Sequence, residues 1–257
     1  EGNAKLLELS LAAIEPVVDD AVAIDRFVEA MSRRGDVRDY LMSNIYSALR
    51  DDEKLIMGAL SVFPGSIERD DAQTILEAQG IDDVVTRIDT LIARQLLDET
   101  DRDQIHCHGL VRDYCYHVLS RADKDRFHLG AAEYFEAQPN YLAAAHHYFE
   151  KRDYTHAIDL LASNSLMIIN SGGAGGLLAQ LGAFQKKFLP SDHWAALCKT
   201  TGDAQQIRGE YQAAIESYLA ALAEPIGDAA RSDFLRSIAL VYLKDGQYDR
   251  MLEYADQ

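Results

Sequence analysis

Residues 207–222, IRGEYQAAIESYLAAL, carry the pattern that decides the fold of the C-terminal half of the chain. A turn residue is followed two positions later by a tyrosine, and apolar residues then recur at helical spacing. The same pattern stands at 148–161, YFEKRDYTHAIDLL, and at 242–254, YLKDGQYDRMLEY. The sequence therefore predicts a turn followed by a helix at three places, as expected of an internal repeat.

The surroundings of this stretch, residues 202–225, resemble a tetratricopeptide repeat in the positions of their small and aromatic residues. In such a repeat the small residues let two antiparallel helices approach closely, and the tyrosines fill the gap toward the next pair. The predicted framework is Gly202, Gly209, Tyr211, Ala214, Tyr218 and Ala221, with Gly246 and Tyr248 in the following repeat. Two positions depart from the pattern, because Arg152 replaces a turn glycine and Met251 replaces an alanine.

The intervals between the three tyrosines predict an irregular array. Tyr211 follows Tyr154 by 57 residues, and Tyr248 follows Tyr211 by 37, against about 34 for a tetratricopeptide repeat. The first interval therefore holds one irregular helix pair with an insertion, which we assign to NSGGAGG at 170–176. This glycine run predicts a flexible turn between helices and no phosphate loop, because it follows a helix and lacks the GK[ST] ending.

Residues 49–125 have a different organisation. Helical spacing predicts three short helices between residues 52 and 94, interrupted at Pro64–Gly65. The stretch QLLDETDRDQIHCHGL at 95–110 predicts two short strands joined by a polar turn, after which the chain returns to helix. Three helices followed by a small hairpin is the order of a winged helix-turn-helix.

The whole chain resembles the regulatory arm of signal-transduction ATPases of the STAND class, which includes NB-ARC proteins and bacterial regulators of the maltose-activator type. Three stretches carry the resemblance: EGNAKLLELSLAAI at the start, LSVFPGSIERDDAQTIL at 60–76 and LIARQLLDETDRDQIHCHGLVRDY at 91–114. The resemblance implies a mainly α fold in three parts: a small helical lid-type domain at 1–48, a winged helix with a two-stranded hairpin at 49–125, and an α-α superhelical, tetratricopeptide-like array at 126–257.

The same resemblance implies a regulatory and sensor role. The winged helix would be an intramolecular latch, the helical repeats would recognise a protein, a peptide or another ligand, and the family's ATPase domain would be the chain's own partner. His108 matches the histidine that points at the β-phosphate of ADP, although Gly109 replaces the aspartate that follows it in the family and Ala4 replaces a nucleotide-contacting proline.

We expect no catalysis by this chain itself. The motif G-x-x-x-x-G-K-[ST], which cradles phosphates and supplies a lysine to them, does not occur in the sequence. ADP or ATP is therefore expected only in a longer, full-length protein, and the abrupt N-terminal start suggests that the chain is a fragment of one. We predict no catalytic residue, no resident cofactor and no enzyme activity for these 257 residues.

The stretch IHCHGLVRDYCYH at 105–117 holds three of the eight histidines and two of the three cysteines. A structural zinc site needs about four converging ligands, and no C-x2-C pair occurs, so we predict no metal. A Cys–His dyad is no better supported, because closeness in sequence does not place a nucleophile beside its base. Cys115 is predicted to lie in the core. His146 and His147, adjacent on a helix, point in different directions and are predicted to be solvated.

The charge of the chain limits its partners. The net charge is −17, and the third predicted helix, IDDVVTRIDTLIAR at 81–94, carries three aspartates against two arginines, so binding of DNA phosphates is disfavoured. No apolar run is long enough to span a bilayer, and we expect a cytoplasmic protein with reduced cysteines and no membrane partner. Two alternatives stay open: a stand-alone tetratricopeptide adaptor protein and, less favoured, a DNA-binding regulator of transcription.

Overall fold

The computed structural model describes the backbone of residues 37–256 and the side chains of residues 42–256. These residues form 14 α-helices and one small antiparallel sheet, which confirms the predicted mainly α fold. The chain divides into two compact units, one ending at Gly130 and one beginning at Ala131. Most of the predicted lid domain, including Ala4, lies outside the described residues.

Between residues 51 and 118 of the N-terminal unit, three helices precede the hairpin and one helix follows it directly, as predicted. The elements of this unit are α1 (Val37–Ser47), α2 (Asp51–Ser61), β1 (Ile67–Glu68), α3 (Arg69–Ala78), α4 (Val84–Ala93), β2 (Leu97–Glu99), β3 (Gln104–Cys107), α5 (Gly109–Val118) and most of α6 (Arg121–Ala137).

The sheet of this unit has three strands in the order β1-β3-β2, so the predicted two-stranded hairpin is joined by a third strand that the sequence did not predict. β2 and β3 form the predicted hairpin, in which Leu97 faces Cys107. β1 pairs with the other edge of β3, where Ile67 faces the fully buried Ile105. Because β1 is only two residues long, it is too short to show the alternation by which strands are recognised in a sequence.

The core of the N-terminal unit lies between α2, α4, α5 and the sheet. Apolar side chains on α2 and α4 supply its centre, and Ile56, Met57, Ile88 and Leu91 are fully buried. Removing such side chains from water contributes about 1.5–3 kcal/mol each. The helices therefore form where apolar residues recur at helical spacing, and their packing holds the hairpin beside the start of α5.

The C-terminal unit consists of helices joined in antiparallel pairs, and no described residue after 126 lies in a strand. Its elements are α7 (Tyr141–Glu150), α8 (Tyr154–Ser163), α9 (Ser165–Asn170), α10 (Ala174–Leu181), a 3-10 turn (Lys186–Phe188), α11 (Ser191–Ile207), α12 (Tyr211–Leu222), α13 (Asp228–Lys244) and α14 (Tyr248–Ala255). The pairs are α7–α8, α9–α10, α11–α12 and α13–α14, and α8 also packs directly against α11.

The irregular pair predicted in the first interval is α9–α10, and only the first two glycines of the run form the predicted turn between these helices. Gly172, at φ +86°, and Gly173 make the turn, whereas Gly175 and Gly176 lie inside α10. A Cβ added at Gly176 would lie 3.1 Å from Leu142 Cδ1 on α7. Close packing of Gly176 against α7 therefore helps to hold this segment in a helix despite the low helix propensity of glycine.

The two neighbouring histidines of α7 are also less exposed than predicted. His147 is 2% exposed, and its ring stacks on that of Phe135 at 5.8 Å between centroids. His146 is half-buried, with its ring edge-on to His147 at 5.2 Å. Because α7 packs against both α8 and α10, little of its circumference is left to solvent, so the prediction of solvated histidines is wrong.

Candidate functional site

His108 lies at the junction where β3 ends and α5 begins. It is the N-cap of α5, and its Nδ1 accepts a hydrogen bond from the backbone N–H of Leu110 at 3.3 Å. In the neutral ring this bond leaves the proton on Nε2, which is then the nitrogen able to donate to a ligand. The imidazole is half-buried, so the cap fixes its position while part of the ring remains accessible.

The start of α5 beside His108 is open. Gly109 is exposed, and a Cβ added there would meet no atom within 4 Å. An aspartate could therefore fit at this position, and the glycine is not forced by lack of space. Arg112, one turn further, is already engaged, because it donates to the carbonyl of Pro64 at 2.8 Å and to Asp113 at 2.9 Å.

The other histidines and cysteines of the stretch 105–117 do not converge on one point. His106 faces Asp98 across the hairpin at 3.8 Å, whereas Cys115 is buried in the core, where burial raises the pKa of its thiol to about 12. Burial also raises the pKa of Cys107. Among the residues whose side chains are described, no three His, Cys, Asp or Glu side chains are grouped as metal ligands would be.

The arginines beside the hairpin are neutralised by carboxylates of the same unit. Arg87 on α4 contacts Asp52 at 2.9 Å, and Arg94 contacts the buried Glu53 at 3.1 Å. A third arginine, at the start of α3, is held by two acids, Asp89 and Glu99. Phosphate contacts supply much of the affinity of proteins for DNA, and these cations are occupied.

The predicted turn residues of the repeats share one backbone conformation. Gly209 and Gly246 have φ values of +78° and +76°, and Arg152, which stands at the equivalent position, has a φ of +70°. In each turn the next N–H donates to a carbonyl five residues earlier, at 2.9 Å in all three cases. The three turns are therefore the same helix-ending motif, although only two of them use the glycine that this conformation favours.

The remaining framework residues lie in the α11–α12 and α13–α14 pairs. Ala214, Tyr218 and Ala221 are fully buried on α12. Gly202 on α11 lies against the ring of Tyr218, where a Cβ would be 2.4 Å from Cε1.

The hydroxyl of Tyr218 donates to Asp203 at 2.7 Å, and Asp203 is also held by Lys199 at 2.8 Å. The first residues of α12 and α14 differ in exposure, since Tyr211 is half-buried and Tyr248 is 63% exposed.

A cluster of four aromatic rings at the end of the α7–α8 pair escaped the sequence reasoning. We call it the aromatic patch, and it consists of Phe149, Tyr154, Phe184 and Phe188. Phe149 meets Phe184 edge-on at 4.9 Å, and Tyr154 lies 5.6 Å from Phe188. The sequence indicates the cluster only through the run FQKKF at 184–188, which supplies two of the rings. The other two rings come from a segment about thirty residues earlier, so the sequence does not show that the four are close together.

The fold is similar to that of part of a larger protein. A crystal structure of a Signal Transduction ATPase with Numerous Domains (STAND) protein with a tetratricopeptide repeat sensor, from Pyrococcus horikoshii, superposes with a TM-score of 0.59 at 15% identity. The match covers 87% of this chain and 34% of that protein, so the chain spans about a third of the length of its structural neighbour. No family model matches the chain, and no curated protein is similar to it.

The described helices were also compared with the requirements of a membrane span. A helix that crosses a bilayer needs about 20 largely apolar residues. None of the helices between residues 37 and 256 combines that length with that apolarity.

Proposed function

We propose that this chain is the regulatory and sensor part of a STAND-type ATPase. The supporting observation is its likeness, over 87% of its length, to a STAND protein with a tetratricopeptide repeat sensor. In this proposal the helical repeats after residue 126 bind a protein or peptide ligand. The unit that contains α2–α5 is a winged helix, and it contacts a nucleotide-binding domain on a longer polypeptide.

The winged helix acts as a latch on the nucleotide state. His108 presents Nε2 at the open start of α5, where a ring N–H can donate to an anion. The anion is the β-phosphate of ADP bound by the separate domain. A ligand on the repeats releases the latch only if it binds the open state more tightly than the closed one.

The chain itself is not an enzyme in this proposal. The phosphate-binding loop and its lysine are absent from the sequence, and the arginines on α3 and α4 are already paired with carboxylates. The helices and the hairpin therefore position one histidine toward a nucleotide that another domain binds. The protein as a whole works in the cytoplasm, through contacts with other proteins.

Titration calorimetry of the chain with ADP and with ATP tests whether the nucleotide is bound by the separate domain and not by this chain. We expect no heat of binding up to about 1 mM nucleotide, which is roughly the weak end of the affinities that calorimetry measures. Binding at micromolar concentrations would contradict the proposal, because the chain would then possess a nucleotide site of its own.

Release of a fluorescent ADP analogue from the complete gene product tests the role of His108. His108→Ala should speed release about tenfold, as expected for loss of one hydrogen bond to a charged group. His117→Ala is the matched control, since His117 is an exposed histidine on the same helix, and it should leave release unchanged. A complete gene product that binds no nucleotide would favour the stand-alone adaptor instead.

A further inference from the structure

We propose that the aromatic patch, with Arg152 and Lys187 beside it, binds a short acidic peptide that carries an aromatic side chain. The inference rests on the proposed function, because it names the class of ligand that the helical repeats recognise. It follows from the exposure of one ring, the charges around it and the backbone conformation of one arginine.

The patch rises from the core to the surface. Phe184 at its base is 8% exposed, whereas Phe188 at its edge is 53% exposed. The ring of Phe188 is inclined by 32° to that of Tyr154, and the Nζ of Lys187 lies 4.7 Å from the Phe188 centroid. An exposed ring held in place by another ring loses little freedom when a ligand side chain stacks on it. Such rigid aromatic side chains are frequent anchors in binding sites.

The segment that supplies Phe184 and Phe188 carries a charge opposite to that of the protein. The chain has 42 acidic residues, but residues 160–191 include none. Lys186 is paired with Glu224, and Lys151 with Asp153.

Two cations remain for a ligand. Arg152 and Lys187 are both exposed, and within residues 42–256 neither forms an ion pair with a carboxylate. A carboxylate ligand would therefore find two available partners beside an exposed ring.

Arg152 adopts a conformation that costs free energy. At φ +70° it is left-handed, whereas the equivalent turns place Gly209 and Gly246 there. A side chain in this region costs roughly 1 kcal/mol relative to glycine. Glycine would make the same turn without that cost, so the observed strain points to a use for the guanidinium itself.

A peptide fits these features better than a nucleic acid does. Single-stranded nucleic acids need a basic groove that follows the backbone over several nucleotides, and here two free cations stand in a protein of net charge −17. In a peptide with carboxylates on both sides of one aromatic ring, one carboxylate would accept hydrogen bonds from the planar guanidinium of Arg152. The other carboxylate would lie near Lys187. Its ring would extend the stack begun by Tyr154 and Phe188.

The probe is a fluorescein-labelled hexapeptide, Ser-Glu-Glu-Trp-Glu-Ser, titrated with the intact chain and followed by fluorescence anisotropy at low salt. Arg152→Gly and Lys187→Glu should each weaken binding about fivefold or more, the effect of roughly one charge-assisted contact. Phe188→Ser should weaken it about tenfold. Lys244→Glu, at another exposed lysine, in the last turn of α13, should change affinity less than twofold.

Arg152→Gly makes the test independent of folding, because glycine relieves the strained backbone and the variant should be at least as stable as the wild type. No binding of the peptide, equal binding of a version with lysines in place of the glutamates, or tighter binding of a ten-nucleotide oligothymidine would each overturn the proposal. The release of ADP in the His108→Ala experiment is measured separately, so failure here would leave the regulatory proposal standing.

Discussion

Gly202 and Tyr218 are in direct contact between α11 and α12, and the glycine has no side chain because the tyrosine ring occupies its place. A Cβ at residue 202 would lie 2.4 Å from Cε1 and 2.7 Å from Cζ of Tyr218. The ring is fully buried, and its hydroxyl is bonded to Asp203 on the opposite helix. The tyrosine therefore has no room to move aside, and the distance between the two helices depends on this glycine.

Gly202→Ala should lower the free energy of unfolding by about 2–3 kcal/mol, the cost of overpacking a filled interior. Urea denaturation monitored by circular dichroism would measure the loss. The control is Gly227→Ala, where a Cβ meets nothing within 4 Å and φ is −67°. A Gly202→Ala variant as stable as this control would show that the contact does not hold the helix pair together.

At the equivalent turn positions 152 and 209, replacing a side chain by glycine and replacing glycine by a side chain should change stability in opposite directions. Gly209→Ala should destabilise the protein by about 1 kcal/mol, because φ is +78° although the space is open. Arg152→Gly should raise stability by about 0.5 kcal/mol, since relief of the strain exceeds the added entropy of the unfolded chain. Thermal unfolding of the two variants beside the wild type would check the signs, and a loss of stability in Arg152→Gly would contradict the equivalence of the turns.

The carboxylate of Glu53 joins the N-cap of its own helix, α2, to the end of α4. It is 3% exposed, and its Oε2 accepts from the backbone N–H of Arg50 at 2.9 Å and from Arg94 at 3.1 Å. Glu53→Ala should cost about 2–3 kcal/mol, because it removes hydrogen bonds to a charged group that is buried. Asp51→Asn alters a fully exposed carboxylate near Lys54 and should change stability by less than about 0.5 kcal/mol. Equal effects of the two substitutions in guanidinium denaturation would refute this role of Glu53.

The three thiols should be unreactive in the folded protein. Burial raises the pKa of Cys115 to about 12 and that of Cys198 to about 11, and it also raises the pKa of Cys107. At pH 8 nearly all of each thiol is then protonated, whereas the thiolate is the reactive form. Reaction with Ellman's reagent should be slow for the native protein and should speed up as the pH rises toward 11.

In guanidinium all three thiols should react within minutes at pH 8, which provides the control. One equivalent of rapid labelling in the native protein would contradict the raised pKa values of the thiols. It would also bring back the hypothesis of a catalytic cysteine in the stretch 105–117.

The sequence predicted features that short stretches of chain determine. The alignment of Tyr154, Tyr211 and Tyr248 located three equivalent turns, including the one that departs from glycine at Arg152, because the turn and the helix that follows are set by adjacent residues. The helices of the N-terminal unit were found for the same reason, since their apolar residues recur at 3.6-residue spacing.

Features that depend on distant segments were missed. Phe149 and Phe184 are separated in the sequence by α8, α9 and α10, and their contact depends on how these helices pack, so no local pattern predicts the aromatic patch. The burial of His147 depends on Phe135 and on the packing of α7 between two helices. The third strand was missed because it owes its existence to pairing with β3 and not to its own two residues.

The direct packing of α8 against α11 gives the short pair α9–α10 an unusual status. Stacking passes from α8 of the first long pair directly to α11 of the second, and α10 packs against both α7 and α11 alongside this contact. The buried residues of α10, among them Leu177 and Leu181, are therefore constrained in evolution, whereas the exposed residues of the short pair are free to vary while α8 and α11 keep the array continuous. Acidic residues are also absent from this short pair, so its exposed surface could diverge between related proteins without disturbing the fold that supports it.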